Sequence, residues 1–217
     1  RNFHQITKKD FVDAEEKVML GEKLDRRPPE EELKRVAIHE VGHAVVSELV
    51  SPGSVAAVTV IPRGQALGFV RQAPLEDKYL YTREELLNQI RIAIGGAFSE
   101  EIILGSMSTG SQNDFSQASR MGKRIVLAGL SRLGIVAEEI GQNELNYEIM
   151  RIINNEGIFI KEELQRFSRF IKEIAEFLQA NERIDGETFR SHFKEYKAIL
   201  DREDERTAES EQGILAC

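Results

Sequence analysis

The chain has a single cysteine, Cys217, in 217 residues. Without a second thiol, an intramolecular disulfide and a thiolate-based metal cluster are both excluded, and the composition fits a reducing compartment. Basic residues are also short, 29 against 37 acidic, and a net charge of −8 with no basic stripe argues against a nucleic-acid surface. No apolar run approaches the roughly 18 residues needed to span a bilayer, and no charged-then-apolar leader opens the chain, so the polypeptide as given is expected to be soluble. A phosphate-binding loop is missing too. The only Gly-Lys pair, Gly122 and Lys123, lacks a glycine five residues earlier and is followed by Arg124, so this polypeptide is not expected to hydrolyse ATP alone.

What is present suffices for one substantial domain: 41% of the residues are hydrophobic. Residues 6–21 read as a short helix, with Thr7 and Asp10 in capping positions and Gly21 as its stop; the charged, proline-bearing stretch after it reads as a linker. A helix is predicted from Pro29 to Val50, with Glu30, Glu31 and Glu32 in its first turn and "SPG" ending it. Residues 55–72, rich in β-branched side chains on either side of "PRGQ", read as a β-hairpin and the only sheet. "TREE" at 82–85 is a capping box for a second long helix that closes on Gly105. Gly95 and Gly96 inside that helix cost about 1 kcal/mol each relative to alanine, which implies a close neighbour, most simply a packed helix. A polar loop at 106–113 leads to a third helix with Asp114 in its first turn. Beyond it the pattern to about residue 200 is helical, with an apolar stripe of Leu164, Phe167, Phe170, Ile171, Ile174, Phe177 and Leu178. The charged residues 201–217 read as a disordered tail.

"HEVGH" at 39–43 carries the chemistry. On a helix, His39 and His43 lie one above the other, so both imidazoles can reach one metal ion at about 2.0–2.1 Å. Glu40, about 100° around the helix, can hydrogen-bond a water on that metal without being a ligand. This is the arrangement of a zinc peptidase, in which zinc activates a water for attack on the peptide bond and the glutamate is the general base. The plainer reading is two core histidines on a stripe shared with Val36, Val46 and Val50. That reading must also bury a second imidazole and a carboxylate without partners, at a cost of several kcal/mol. A catalytic zinc site needs a third protein ligand. His4 and His192 lie far away in sequence and position 49 is Leu49, so a carboxylate is expected: Glu100, Glu101 or Asp114. Spacing does not choose among them.

"HEVGHAVV", "YLYTREELLNQI", "GGAFSEEIILG", "STGSQNDFSQAS", "GLSRLG" and "LQANERIDGETF", in that order, resemble the peptidase half of the FtsH family, the membrane-anchored AAA-type ATP-dependent zinc metalloproteases. The resemblance covers roughly residues 6–190. It implies Asp114 as the third zinc ligand and leaves Glu100 as a carboxylate supporting the ligands from behind. Two departures touch no proposed ligand: Ala97 follows the "GG" where relatives commonly carry arginine, and "TGSQND" replaces "TGASND".

The expected fold is therefore mainly α, a helical zinc-peptidase domain with a small β-hairpin or sheet next to the active-site helix. Residues 1–25 are expected to be the last helix of an ATPase lid module plus linker, 26–200 the metallopeptidase domain, and the chain part of a longer protein. The resemblance implies one Zn²⁺ per chain and ATP only for a separate ATPase module. It also implies protein substrates, a homo-hexamer, and membrane anchoring through segments outside this sequence, with the peptidase on the cytoplasmic or organellar matrix or stromal side. The residues Leu67, Gly68, Phe69 and Val70 are expected to offer a free strand edge to the substrate backbone. The rival readings are a stand-alone zinc peptidase with a glutamate third ligand and a non-catalytic assembly module.

Overall fold

The computed structural model describes residues 6–7, 10–11, 13–14, 17–18, 21–24, 28–64, 66–72, 79–136 and 140–215, without the side chains of 207–215. His4, Cys217 and residues 25–27 of the linker fall outside these residues. Thr7 and Asp10 form the expected reciprocal cap, the Thr7 backbone N–H reaching Asp10 Oδ2 at 2.8 Å and the Asp10 N–H reaching Thr7 Oγ1 at 3.3 Å.

Helix α1 (Glu30–Val50) starts directly after Pro29 with three glutamates in its first turn, where they meet the positive end of the helix dipole. It is the central element, and most of its residues are buried. The turn that ends it is organised by Glu48. This buried carboxylate accepts the Gly53 N–H at 2.8 Å and the Val55 N–H at 3.0 Å, which sends the chain directly into β1 (Val55–Thr59). β2 (Phe69–Gln72) runs antiparallel to β1, with Thr59 opposite Phe69 and Val58 opposite Val70, and a bulge between Val55 and Ala57.

The hairpin is not the whole sheet. A third strand, β3 (Arg183–Asp185), pairs antiparallel with the other edge of β1, giving the order β2-β1-β3. Three residues are too few to show a period of two, and they follow a strongly helical stretch, so sequence patterning reads through them. Their strand geometry comes from tertiary contacts. Glu182 adopts a left-handed backbone (φ 60), its carbonyl accepts the Val60 N–H at 3.1 Å and the Thr59 hydroxyl at 2.9 Å, and Ile184 is buried.

Helix α2 (Arg83–Leu104) has the predicted capping box at Thr82 and Glu85 and the predicted left-handed glycine stop at Gly105. A short 3₁₀ turn (Thr109–Ser111) leads into α3 (Gln112–Leu127); α4 (Gln142–Arg166), α5 (Ser168–Asn181) and α6 (Gly186–Leu215) follow. The long apolar stripe is divided at Phe167, which is buried and stacked on Phe193 with ring centroids 5.3 Å apart. Phe177 is the exception in the stripe: it is 42% exposed and lies beside His192, which does not join the group formed by His39 and His43. α6 also continues through 201–215, where a disordered tail was expected. Its charges pair locally, Lys197 with Asp201 at 3.0 Å, and Arg166 of α4 with Asp204.

Two apolar clusters result. One joins α1, the sheet, the end of α4 at Ile160 and Leu164, α5 and α6; the other fills the space between α2, α3 and the start of α4. α1 and α2 touch backbone to backbone between them. A Cβ on Gly42 would stand 2.2 Å from Ser99 Oγ and 2.9 Å from the Gly95 carbonyl, and one on Gly95 would stand 2.8 Å from Val46 Cγ2. The close neighbour expected at Gly95 is thus α1. Gly96 faces the same helix at the side chains of His39 and His43.

Candidate metal centre

The close contact of α1 with α2 puts the exposed face of α1's middle turns at the floor of a cleft of about 630 Å³, bordered by β2 on one side and the start of α3 on the other. His39 and His43 stand on this floor because a spacing of four returns a helix to nearly the same face. Their Nε2 atoms are 2.9 Å apart. Asp114, in the first turn of α3, brings Oδ2 to 3.2 Å from His39 Nε2 and 3.7 Å from His43 Nε2. Four-coordinate zinc with bonds of about 2.0–2.1 Å has donor atoms roughly 3.3–3.4 Å apart, so the three separations match three corners of one tetrahedron. Among the described residues this is the one group of three or more such side chains close enough to share an ion.

The hydrogen bonds behind the rings fix the chemistry in front of them. His43 Nδ1 lies 2.7 Å from the Ile92 carbonyl, which can only accept, so Nδ1 carries the proton. His39 Nδ1 likewise faces Glu100 Oε1 at 2.8 Å. In the neutral rings both Nε2 lone pairs then point at one place, together with a carboxylate. Such a convergence of acceptors calls for a cation or a proton.

The titration behaviour agrees. Burial alone would lower the His39 pKa, but its hydrogen bonds to Asp114 and Glu100 raise it from 6.5 to about 10. Burial would raise that of Asp114; the hydrogen bonds from His39 and His43 outweigh it and hold the carboxyl well below the usual range. Glu40 goes the other way: burial pushes its pKa up, only partly offset by His43 and His39.

These shifts give a pH prediction. Metal-free His39 keeps its proton up to about pH 10, and a metal needs that lone pair. Zinc binding at pH 7 to 8 should therefore release close to one proton from His39, and affinity should rise about tenfold per pH unit toward 10. Titration calorimetry in buffers of different ionisation enthalpy counts that proton; zero release would contradict the arrangement. For the metal-free chain the sign is opposite. A folded pKa above the unfolded value contributes stability that is complete below about 6.5 and lost as pH rises through 10.

A side chain at position 96 would crowd the histidine pair. A Cβ on Gly96 would lie 2.6 Å from His43 Nε2 and 2.7 Å from both Cε1 and Nε2 of His39, closer than carbon packs, so this glycine gives the two imidazoles room to stand side by side. The "GG" pair thus meets α1 twice, Gly95 at Val46 and Gly96 at the histidines.

The remaining carboxylates separate by position. Glu100 is 1% exposed and sits behind His39, held there by Arg35 Nη1 at 2.6 Å and the Ser108 hydroxyl at 3.1 Å, on the side of the ring away from the convergence point. Despite its burial those bonds lower its pKa. Glu101 points elsewhere, to Lys161 at 3.0 Å. Glu40 is 7% exposed and lines the cleft beside the histidines. The backbone of the hairpin presses against it: a Cβ on Gly68 would come within 2.8 Å of Glu40 Cγ and 2.9 Å of Val36 Cγ1. Leu67, Gly68, Phe69 and Val70 form one wall of the cleft, and β2 is an edge strand of the sheet. Sequence reasoning did not single out Arg35 or Ser108. Arg35 had a signal, since it precedes His39 by the same four residues that separate the histidines.

Comparison with known proteins follows the same lines. The family model described as Peptidase family M41 matches residues 26–192. Proteins named ATP-dependent zinc metalloprotease FtsH are similar over most of the chain. The one from Syntrophobacter fumaroxidans is 34% identical over 94% of this chain and 35% of its own length. That from Methylococcus capsulatus is 36% identical over 86% and 33%, and that from Thermotoga maritima 31% identical over 94% and 37%. The chain spans about a third of the length of these curated relatives. No helix among the described residues is long and apolar enough to cross a membrane. The match across residues 26–192 establishes that the chain belongs to peptidase family M41.

Proposed function

We propose that the chain is the peptidase portion of an ATP-dependent zinc endopeptidase, with His39, His43 and Asp114 as metal ligands and Glu40 as general base. The observation that carries this reading is the convergence of two imidazole lone pairs and a carboxylate, 2.9 to 3.7 Å apart, in an open cleft beside a buried glutamate. A zinc ion held there supplies Lewis-acid polarisation of a water and of the scissile carbonyl. The Glu40 carboxylate takes the proton of the attacking water and returns it to the leaving amine. Glu100 and the Ile92 carbonyl hold the two rings in the tautomer that keeps Nε2 free. Zinc content and proteolysis of Asp114→Asn and Glu100→Gln test the assignment. Asp114→Asn should lose both. Glu100→Gln should bind zinc more weakly, by roughly 10–100-fold. Loss of metal in Glu100→Gln alone would favour a glutamate ligand instead.

The substrate backbone lies along β2, adding a strand to the free edge beside Glu40, because main-chain pairing accepts many side-chain sequences. Phe69→Pro should raise KM about tenfold or more with zinc content unchanged; an unchanged KM removes the strand from this account.

The wider setting is part of the same proposal. The relatives' shared name couples peptidase action to ATP, and this sequence contains no phosphate-binding loop, so the ATPase would be a separate module. Its ring would unfold membrane and soluble proteins and pass them to the cleft. Resemblance to the family supports a homo-hexamer anchored in a membrane, with the peptidase on the cytoplasmic, matrix or stromal side.

A further inference from the structure

We infer that Arg35 is a positioning residue for the metal centre, acting on two of the three ligands through Glu100 and the loop that delivers Asp114. The inference rests on the metal assignment proposed above. Arg35 lies one turn before His39 on α1, and its side chain reaches across to α2 and the loop beyond. Nη1 donates to Glu100 Oε2 at 2.6 Å and to the Ser106 carbonyl at 2.7 Å, and Nη2 lies 3.4 Å from Ser106 Oγ. Glu100 spends its other oxygen on His39 Nδ1 at 2.8 Å and on the Ser108 hydroxyl at 3.1 Å.

Each of these bonds has a consequence for a ligand. Glu100 is 1% exposed, and a carboxylate so deeply buried needs a cationic partner to stay charged and in one rotamer. Arg35 supplies it, so the orientation of the His39 ring depends on a guanidinium that never touches the imidazole. The same Nη1 also holds the carbonyl of Ser106, immediately after the Gly105 helix stop, with Nη2 beside the Ser106 hydroxyl. With Ser108 tied to Glu100, the loop is fastened at two points before the 3₁₀ turn at Thr109–Ser111 and Asp114 beyond it. Losing the guanidinium therefore loosens His39 by rotation and Asp114 by displacement. Lysine would keep a charge beside Glu100 but, as a point charge on a flexible stem, would lack the Nη2 contact and the fixed direction in which the planar guanidinium presents its donors.

The test uses the full chain with Arg35→Gln and Arg35→Lys. Zinc affinity is measured by competition with a chelator, and the d–d absorption of the cobalt-loaded protein reports ligand geometry. Arg35→Gln should weaken zinc by roughly 10–100-fold, with Arg35→Lys in between, and should alter the cobalt spectrum. Far-UV circular dichroism and melting of the zinc-free chain serve as the structural reference, since a merely structural role would lower that melting without changing the cobalt spectrum. The double variant Arg35→Gln with Glu100→Gln should lose more zinc affinity than Glu100→Gln alone but less than the sum of the two single losses, because the route through Glu100 is shared and the route through Ser106 is not. Zinc affinity within twofold of wild type in Arg35→Gln, or additive losses in the double variant, would overturn the inference. Failure of the wild-type chain to bind zinc would instead overturn the metal assignment, with His43→Ala as the reference for a chain lacking a ligand.

Discussion

Glu40→Gln should lower kcat for peptide hydrolysis by roughly 10²–10⁴-fold while leaving zinc binding intact, the loss expected if Glu40 is the general base proposed above. The substitution is nearly isosteric, which matters at a residue 7% exposed and pressed against the backbone of Gly68. None of the donor atoms at the convergence point belongs to residue 40, so the ligand set is untouched. The amide keeps the shape and much of the hydrogen bonding of the acid but cannot accept the proton of the attacking water. Steady-state hydrolysis of a peptide substrate, with metal content determined on the same preparation, separates the two quantities. Activity and zinc falling together would mean that Glu40 supports the fold of the site; undiminished hydrolysis would remove it as the base.

Gly96→Ala costs zinc affinity more than the roughly 10–100-fold that follows loss of an orienting partner, because here the ligands themselves must move. The added methyl would sit 2.6 and 2.7 Å from the two Nε2 atoms, and both imidazoles are held from behind by Glu100 and the Ile92 carbonyl. Backbone conformation does not oppose the change. Gly96 lies inside α2 and has no left-handed φ, so alanine would gain about 1 kcal/mol of helix propensity. The expected result is a chain with its helical circular dichroism intact and its zinc lost, a combination that few core substitutions produce. Chelator competition beside a thermal melt measures it. Wild-type zinc affinity in this variant would mean that the two imidazoles accommodate the methyl without losing the ion.

Legibility from sequence followed the range of the interaction responsible. The spacing that sets His39 and His43 on one face with Glu40 beside them, the capping box at Thr82 and the stop at Gly105 each depend on residues within one helical turn, and each is readable in the sequence. Asp114 and Glu100 lie on different helices from the histidines, and their distances to His39 are set by how α1, α2 and α3 pack. Spacing along the chain holds no record of that, so only the family resemblance pointed to Asp114. β3 escaped because three residues carry no period and owe their strand geometry to the edge of β1. Gly95 and Gly96 read as points of close approach to a packed helix, and α1 is that helix; the cost of a helical glycine does not say that the side chains opposite Gly96 are the two histidines. The charged stretch from 201 read as disordered because composition alone does not register pairs such as Arg166 with Asp204, which lie on different helices.

Anomalous diffraction from zinc-replete crystals, recorded on both sides of the zinc absorption edge, tests the central claim most directly. The account predicts one peak per chain, about 2.0–2.1 Å from His39 Nε2, His43 Nε2 and Asp114 Oδ2, with Glu100 bonded only to the far side of His39. A peak ligated by Glu100, or no peak between the two histidines, would contradict it.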